Sequence, residues 1–500
     1  MTQIVGEPTT GSLPQISPHK PNTTLLVIYL ALAGLSFAVL QSLVAPALST
    51  IATDLDVSTS AVSWIITAYL LSASVLTPIF AKLGDMQGKR RILIVVVSLL
   101  LVGTIIAALA TSLPVMIIGR IFQGAAGAVL PLSIGIVRDE LPKDKVSVTI
   151  GILSGIFGIG AGVGIVAAGP IVENLDYHFL FWIPMVLIVI ALIGIIFGMK
   201  ESPIKTPGRL DYLGTVVLTV ALLSLLLAIS EGETWGWGDG KTIGLIILGV
   251  VALVAFVLVE LRVSSPLIDV RLFKIRGVWT AHVIALVFGF AMYGTFVLMP
   301  TLLQLPSFTG YGFGKTASES GLYLLPTVIM LVIVSALSGA VVRRYGPKPS
   351  LVIGGVLLTA AYVLPGISHS SIWMVLASGI LTGAGIGFGL AAASNAIIES
   401  VPALQTGEAI SANTIARTIG SSIGTAVIAA VISSKTTAFA LPTGTINLPA
   451  DSVFNTVFWV CAAVSVVAII VALLAPSMSK RREQALALGV TDLDGVVTEK

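Results

Sequence analysis

Fourteen apolar stretches, each long enough to cross a bilayer as a helix, lie between residues 23 and 475. No other property of the chain narrows its fold so far. In hydrocarbon every backbone N–H and C=O must find its partner within the protein, which leaves helices or closed barrels. Composition agrees, since 56% of residues are hydrophobic and only 10% charged, against about 25% charged in an ordinary soluble domain. The chain reads as an all-α polytopic membrane protein embedded in a lipid bilayer. Residues 1–22 are polar, rich in Pro and Thr, and read as a mobile cytoplasmic tail; a second tail over 476–500 carries Lys480, Arg481 and Arg482 near its start. The apolar run beginning at residue 23 is too long for the apolar part of a signal peptide. One cysteine, Cys461, excludes a disulfide framework and any multi-cysteine metal site.

Charge tests the count of fourteen. With the amino terminus inside, the alternate loops and both tails hold 22 of the 27 Lys and Arg. The opposite face holds Lys241, Lys315 and Lys435, and Arg120 and Arg417 remain within spans. Basic residues concentrate on the cytoplasmic side of multi-pass proteins, so both termini are expected there.

The chain also repeats. GDMQGKRR (84–91) follows span 2, and VVRRYGPK (341–348) follows span 10, an offset of 258 residues that sets Asp85 opposite Arg343. RIFQGAAG (120–127) in span 4 and ILTGAGIG (380–387) in span 12 repeat at an offset of 259. The unit is six spans, which predicts a 6+2+6 arrangement: bundles over 23–199 and 278–475, with two inserted helices over 212–261. Repeats of this kind are typical of transporters that rock two halves about a central site; chance similarity among Gly-rich helices is the alternative.

The stretch AKLGDMQGKRR (81–91) places five charges in eleven residues. Gly84 and Gly88 suit a tight reversal between spans 2 and 3, because glycine has no Cβ to clash. Asp85 could accept from free N–H groups at a helix start, or pair with a cation across the seam between halves. Either would latch one side of the protein shut. Lys89, Arg90 and Arg91 are equally accounted for as loop anchors.

At this point a resemblance enters. GDMQGKRR resembles the signature loop of the major facilitator superfamily, and Arg120, Gln123 and Gly124 in GRIFQGAAG (119–127) resemble its span 4 motif. GIFGIGAGVGIVAAGP (155–170) resembles the span 5 motif of its drug antiporters. With fourteen spans, YGFGKTASESGLYLLP (311–326) and VPALQTGEAISANTIARTIGSSIG (401–424) are similar to the fourteen-span drug:proton antiporter branch. The resemblance implies the major facilitator fold and export of a small amphipathic molecule by alternating access, in exchange for protons. It also implies a bacterial plasma membrane location and a monomer, with no cofactor, no metal and no nucleic acid. Gly158, Gly162, Gly164, Gly169 and Pro170 would form a hinge in span 5, although such i, i+4 glycines are also ordinary close-packing faces.

Two departures bear on the mechanism. Where that branch carries an acid in span 1, this chain has Gln41, and its span 5 motif reads Gly164-Ile165. No acid lies mid-membrane, so the candidates for proton coupling are Asp54, Glu173 and Glu260 at span edges and His282 in span 9. An arginine at a helix centre costs about 2.5–3.5 kcal/mol on insertion scales, so Arg120 and Arg417 should face the interior. Gln41 and Ser42 lie at a depth compatible with Arg120. Asn413, one turn before Arg417, and Asn395 of span 12 could meet Arg417. Both arginines suit either a cavity that holds substrate or a structural role bonding carbonyls of packed helices. Without a buried acid as partner they would also suit an anionic headgroup or drug. Export of a lipid or anionic secondary metabolite is therefore the alternative reading, and a membrane receptor that never transports is a third.

GYGFGKT (310–316) lacks the first glycine of a phosphate-binding loop, with Thr309 in its place. No Ser–His–Asp set, HExxH or clustered carboxylates suggests an enzyme.

Overall fold

The computed structural model describes residues 23–201, 209–402, 405–441 and 444–476; the expected tails, Pro476 apart, lie outside the described residues. Among those described are fourteen helices long and apolar enough to cross a membrane. The first six are spans 1 (Thr23–Ala47), 2 (Trp64–Gln87), 3 (Lys89–Ala108), 4 (Leu113–Glu140), 5 (Lys143–Asn174) and 6 (Phe179–Gly198). Spans 7 (Tyr212–Gly232) and 8 (Gly240–Glu260) follow. The last six are spans 9 (Arg276–Gln304), 10 (Ser318–Tyr345), 11 (Pro347–Ile367), 12 (Ile372–Ile398), 13 (Thr406–Ser433) and 14 (Asp451–Leu474). The end of the molecule where spans 2 and 3 meet is called the basic end below, and the opposite one the far end.

Local chemistry sets several helix ends. The Asp211 side chain accepts from Gly214 N at the start of span 7, and Asp239 accepts from Lys241 N at the start of span 8. Thr316 and Glu319 form a reciprocal capping box ahead of span 10. Spans 2 and 10 end on Gly88 (φ 118°) and Gly346 (φ 80°), a backbone region that residues with a Cβ rarely enter. Aliphatic side chains such as Ile190, Val251 and Ile333 stand outward on the surface, as lipid contact requires.

Within the first six spans, 1 packs along 5 and 6, 3 along 4 and 6, and 2 along 4. Within the last six, 9 packs along 13, 12 and 14, 10 along 12, and 11 along 12 and 14. Two seams join these groups, span 5 against span 10 and span 2 against span 13. Spans 7 and 8 pair as a hairpin, and span 7 lies on spans 2 and 13, beside only one of the two seams.

The 5/10 seam is close because it is lined with glycine. A Cβ at Gly151 would lie 2.4 Å from the Ser335 carbonyl oxygen, and one at Gly339 2.6 Å from that of Ser147. Gly158 and Gly162 receive the side chains of Leu331 and Val328, Gly169 faces Ser318, and Gly164 faces Ser42 of span 1. Pro170 lies inside span 5. Span 4 tightens to a 3₁₀ turn over Ala125–Ala128, where Gly124 and Gly127 lie against Ser72 and Thr77 of span 2.

One expectation is corrected. Gly84 and Asp85 are not in a loop: span 2 stays helical to Gln87, and the reversal is made at Gly88 alone. Gly84 instead makes room for Leu132 of span 4, which a Cβ would meet at 2.3 Å. Between spans 13 and 14 lies a two-stranded antiparallel ribbon, β1 (Thr436–Leu441) with β2 (Gly444–Pro449). It lies outside the spans, so water can satisfy its edges. Phe439 of this ribbon packs on Phe308 at a centroid distance of 5.7 Å.

Close packing should therefore be costly to disturb at the 5/10 seam and not in the hairpin. Gly151→Leu should destabilise by at least the ~1–3 kcal/mol typical of overpacking. Gly244→Ala, with open space around its Cα, should be neutral or stabilise by up to about 1 kcal/mol. Cys461 is buried, so its reaction with a thiol-reactive dye on heating in detergent measures both.

Candidate functional site

A cavity of about 740 Å³ lies between the two six-span groups. Its walls come from spans 1, 2, 5, 7, 9, 10 and 13, and its mouth reaches the far end at Thr50, Glu173 and Gln304. Most of the lining is apolar, including Ile66, Leu70, Phe157, Met292 and Phe296. Polar groups come from Gln41 and Ser42 of span 1 and from a stripe on span 13, Arg417, Thr418, Ser421, Ser422 and Thr425. Apolar walls with a few placed polar groups are the usual make-up of a small-molecule site. Span 7 contributes Leu226, Ile229 and Ser230, and the Ser230 hydroxyl lies 2.9 Å from that of Thr67 on span 2. The hairpin thus closes the cavity wall between spans 2 and 13.

No lining residue comes from the basic-end turns of any span. There the 2/13 seam is closed by charge. Lys82 of span 2 donates to Glu408 of span 13 at 2.6 Å, with both side chains almost wholly buried. Arg138 of span 4 reaches across to the Val401 carbonyl at 2.8 Å, the Pro402 carbonyl at 3.3 Å and the Thr406 hydroxyl. Asp85, 2% exposed, faces Gly407 in the first turn of span 13; a Cβ at Gly407 would lie 2.4 Å from Asp85 Oδ2. The positive end of the span 13 dipole points at this carboxylate, and, Lys89 apart, no donor among the described residues reaches either oxygen. Lys89 lies 3.4 Å from Asp85 and 2.8 Å from Asp139. The Arg90 guanidinium bonds the Ile195 and Ile196 carbonyls of span 6. Glu201 accepts from the Arg90 and Arg91 amides and so caps span 3.

The other candidates separate once placed. Arg120 is fully buried and lies outside the cavity lining. It donates to the Ile65 and Leu40 carbonyls at 3.2 Å each and to Gln123 Oε1 at 2.7 Å. Its guanidinium sits 4.2 Å from the centroid of the Tyr69 ring, and Tyr69 is what the cavity meets. Gln123 in turn donates to Thr104 at 3.2 Å. Gln41 lines the cavity, but the bond from Arg120 to span 1 goes to Leu40, not Gln41. Arg417, half-buried, faces the cavity. Asn413 and Asn395 do not converge on it: the Asn413 amide donates to the Ala281 carbonyl of span 9, and that of Asn395 to Ala391 of its own helix.

His282 is buried away from the cavity lining, its Nδ1 2.7 Å from the Val278 carbonyl and its ring 4.8 Å from that of Phe273. Asp54 is exposed at the end of a short helix, Leu48–Asp54. Glu173 accepts from Ser318 at 2.9 Å, across the far end of the 5/10 seam. Glu260 is fully buried beneath the chain that follows span 8, where it accepts from Leu267 N at 3.2 Å.

Sequence reasoning missed Glu408, Arg138, Asp139 and Asp211. Glu408 and Lys82 are 326 residues apart in the chain, and no local pattern links them. One signal was present: Glu408 and Glu260 are acids at the margins of apolar helices, where an isolated charge is costly.

A sequence profile of the Major Facilitator Superfamily matches residues 30–359 and, a second time, 283–491. The chain is 29% identical over 400 residues to the tetracenomycin C resistance and export protein of Streptomyces glaucescens, covering 78% of this chain and 72% of that one. Multidrug resistance protein 3 of Bacillus subtilis strain 168 is 27% identical over 405 residues, with 80% and 77% covered. The MFS-type transporter YhcA of the same organism is 32% identical over 339 residues, 67% of this chain, which spans 62% of YhcA's length. Among solved structures, the proton:xylose symporter XylE matches with a TM-score of 0.63, covering 91% of this chain and 96% of that one. The human organic anion transporter MFSD10 matches at 0.61, covering 90% and 98%. At 14% identity each, these two establish the fold alone. With the cavity, the two seams and the profile in agreement, the chain belongs to the major facilitator superfamily of membrane transporters.

Proposed function

We propose that this protein exports small amphipathic molecules across a bacterial plasma membrane by alternating access, using proton influx as the driving force. The observation that carries the reading is the cavity, open at the far end and shut at the basic end by Lys82–Glu408 and Arg138. The positive-inside pattern supports a cytoplasmic basic end, in which case this conformation would be outward-open. In the reading, spans 1–6 and 9–14 move as two bundles about the Gly-lined 5/10 seam. The relatives named for export of, or resistance to, tetracenomycin C and other drugs support a substrate of that general kind.

A second reading concerns the charge of the substrate. Among the described residues that line the cavity, Arg417 is the cation, and Glu173 at the mouth is the acid. With hydroxyls at Thr418, Ser421, Ser422 and Thr425 beside it, Arg417 favours an anionic or oxygen-rich aromatic compound over a lipophilic cation. A charge-assisted hydrogen bond from Arg contributes about 1.5–3 kcal/mol.

Efflux from proteoliposomes, with and without an imposed proton gradient, tests the first reading: wild-type export should accelerate when the gradient is applied, and gradient-independent export would refute the coupling. Removing one partner of a buried ion pair costs about 3–5 kcal/mol, so Glu408→Gln should open the basic end. Spin labels at the exposed positions 87 and 399, in a background lacking Cys461, should then report a longer distance than in the wild type. An unchanged distance would show that the pair does not hold the gate. For the second reading, Arg417→Gln should weaken binding of an anionic aromatic probe roughly 10- to 100-fold while leaving a cationic dye within a few-fold. Equal losses for both probes would count against it.

A further inference from the structure

The inserted hairpin carries two carboxylates that the transport reading leaves without a task. Glu260, the last residue of span 8, is 0% exposed, and Asp211, just before span 7, is 8% exposed. A Cβ placed on Gly214 would lie 2.3 Å from Asp211 Oδ2 and 2.7 Å from Glu260 Oε1, which puts both carboxylates in one pocket beside that glycine. Each has one oxygen engaged by a backbone amide, from Gly214 to Asp211 at 2.9 Å and from Leu267 to Glu260 at 3.2 Å. Among the described residues Asp211 Oδ2 is buried and receives no hydrogen bond, and Glu260 Oε2 is buried with no donor near it beyond the Ile268 amide. No cation compensates them among the described residues. Lys82 is held by Glu408, Lys89 by Asp139 and Asp85, and Arg209, Arg262 and Arg271 are exposed.

Two ionised carboxylates so placed repel each other and lack the water that would solvate them. Beyond the Gly214, Leu267 and Ile268 amides, the described residues offer the pair no donor. A proton on Glu260 removes one charge and provides a donor.

The pocket is tied to the gate through the chain that follows span 8. Leu267 and Ile268 of this strap pack with Leu218, Leu222 and Phe256 of the hairpin and with Ala412 and Ile415 of span 13. Asp269 N donates to Glu408 Oε2 at 3.3 Å, and Gln405 Nε2 donates to Asp269 Oδ2 at 3.3 Å. Glu408 therefore holds Lys82 across the seam with one oxygen and the strap with the other. The same strap roofs Glu260. The groups facing the pocket from the elements packed on it are thus Glu408, Asp269 and Lys82, with Asp85, Lys89 and Asp139 beyond them.

We propose that Glu260, with the Asp211 carboxylate beside it, forms a proton-binding site that is filled while the basic-end gate is shut. The proton leaves to the solution on that side when the strap lifts with the gate and water reaches the pair. This gives the inserted hairpin a role, linking gate opening to proton release. It rests on the reading that the basic end opens during transport, but its test needs neither substrate nor gradient.

The sign follows from linkage: the shut state binds one more proton than the open state, so acid favours shut and alkali favours open. For one proton the open-to-shut ratio should change by about tenfold per pH unit across the range where Glu260 titrates. The full-length protein, purified and spin-labelled at positions 87 and 399, would be measured across pH. Infrared difference spectra would be recorded in parallel for the carbonyl band of a protonated carboxylic acid. In the wild type, the band should vanish as the label distance lengthens. Glu260→Gln and Asp211→Asn, neutral in all conditions, should each remove the band and flatten the pH response of the distance. A band and a pH response that survive in both variants would overturn the proposal, even if transport proves proton-coupled. If one variant does not fold, the other decides on the same criteria. Gradient-independent efflux together with loss of the band in the variants would leave this site standing and refute only the energetic coupling.

Discussion

Hydrocarbon offers no partner to a charge, so every ionised group inside this protein must be matched by another part of the protein. That constraint accounts for most of what is specific about the fold. The guanidinium of Arg120 is clasped by two carbonyls, by Gln123 and by the face of Tyr69, which ties spans 1, 2 and 4 together. Lys89 is held by Asp139, joining spans 3 and 4. Lys82 and Glu408 obey the same rule, but their elements belong to different six-span groups. An interaction that stabilises one group internally becomes, across a seam, one that must break if the groups are to separate there.

The two seams are built from different materials. Span 5 meets span 10 through glycines that bring backbones close, an interface of short-range contacts and small side chains. Span 2 meets span 13 through buried charge at the basic end and is parted by the cavity toward the far end. Close backbone packing without ion pairs can slide or pivot at modest cost. A desolvated ion pair is either made or broken, and breaking it by removing one partner is expensive. In the proposed rocking, the 5/10 seam would be the pivot and the 2/13 ion pair the lock. The superfamily repeat is thus used asymmetrically: Arg343, the repeat counterpart of Asp85, is exposed.

The inserted hairpin belongs to this asymmetry. It lies beside the lock rather than the pivot, closes the cavity wall with Leu226, Ile229 and Ser230, and sends its strap to Glu408. An addition at the pivot would have met a seam already filled by glycine packing. At the lock it meets a buried acid with one oxygen to share.

What the sequence by itself determined is the membrane character and the number of spans, because these depend on local quantities, run length and mean hydropathy; motif offset suggested a six-span unit present twice. The latch region was legible as a place where charge concentrates, but its chemistry was not. Asp85 looked like a loop residue because it lies between two glycines, yet only Gly88 adopts a conformation that needs glycine; Gly84 answers to Leu132, 48 positions away in the chain. Arg120 and Arg417 looked equivalent, since both are arginines within apolar helices, and only packing put one behind Tyr69 and the other in the cavity wall. Lys82 with Glu408, and Asp211 with Glu260, were decided by tertiary structure alone. Which buried charge meets which depends on helices that are far apart in sequence, and no local pattern encodes their separation in space.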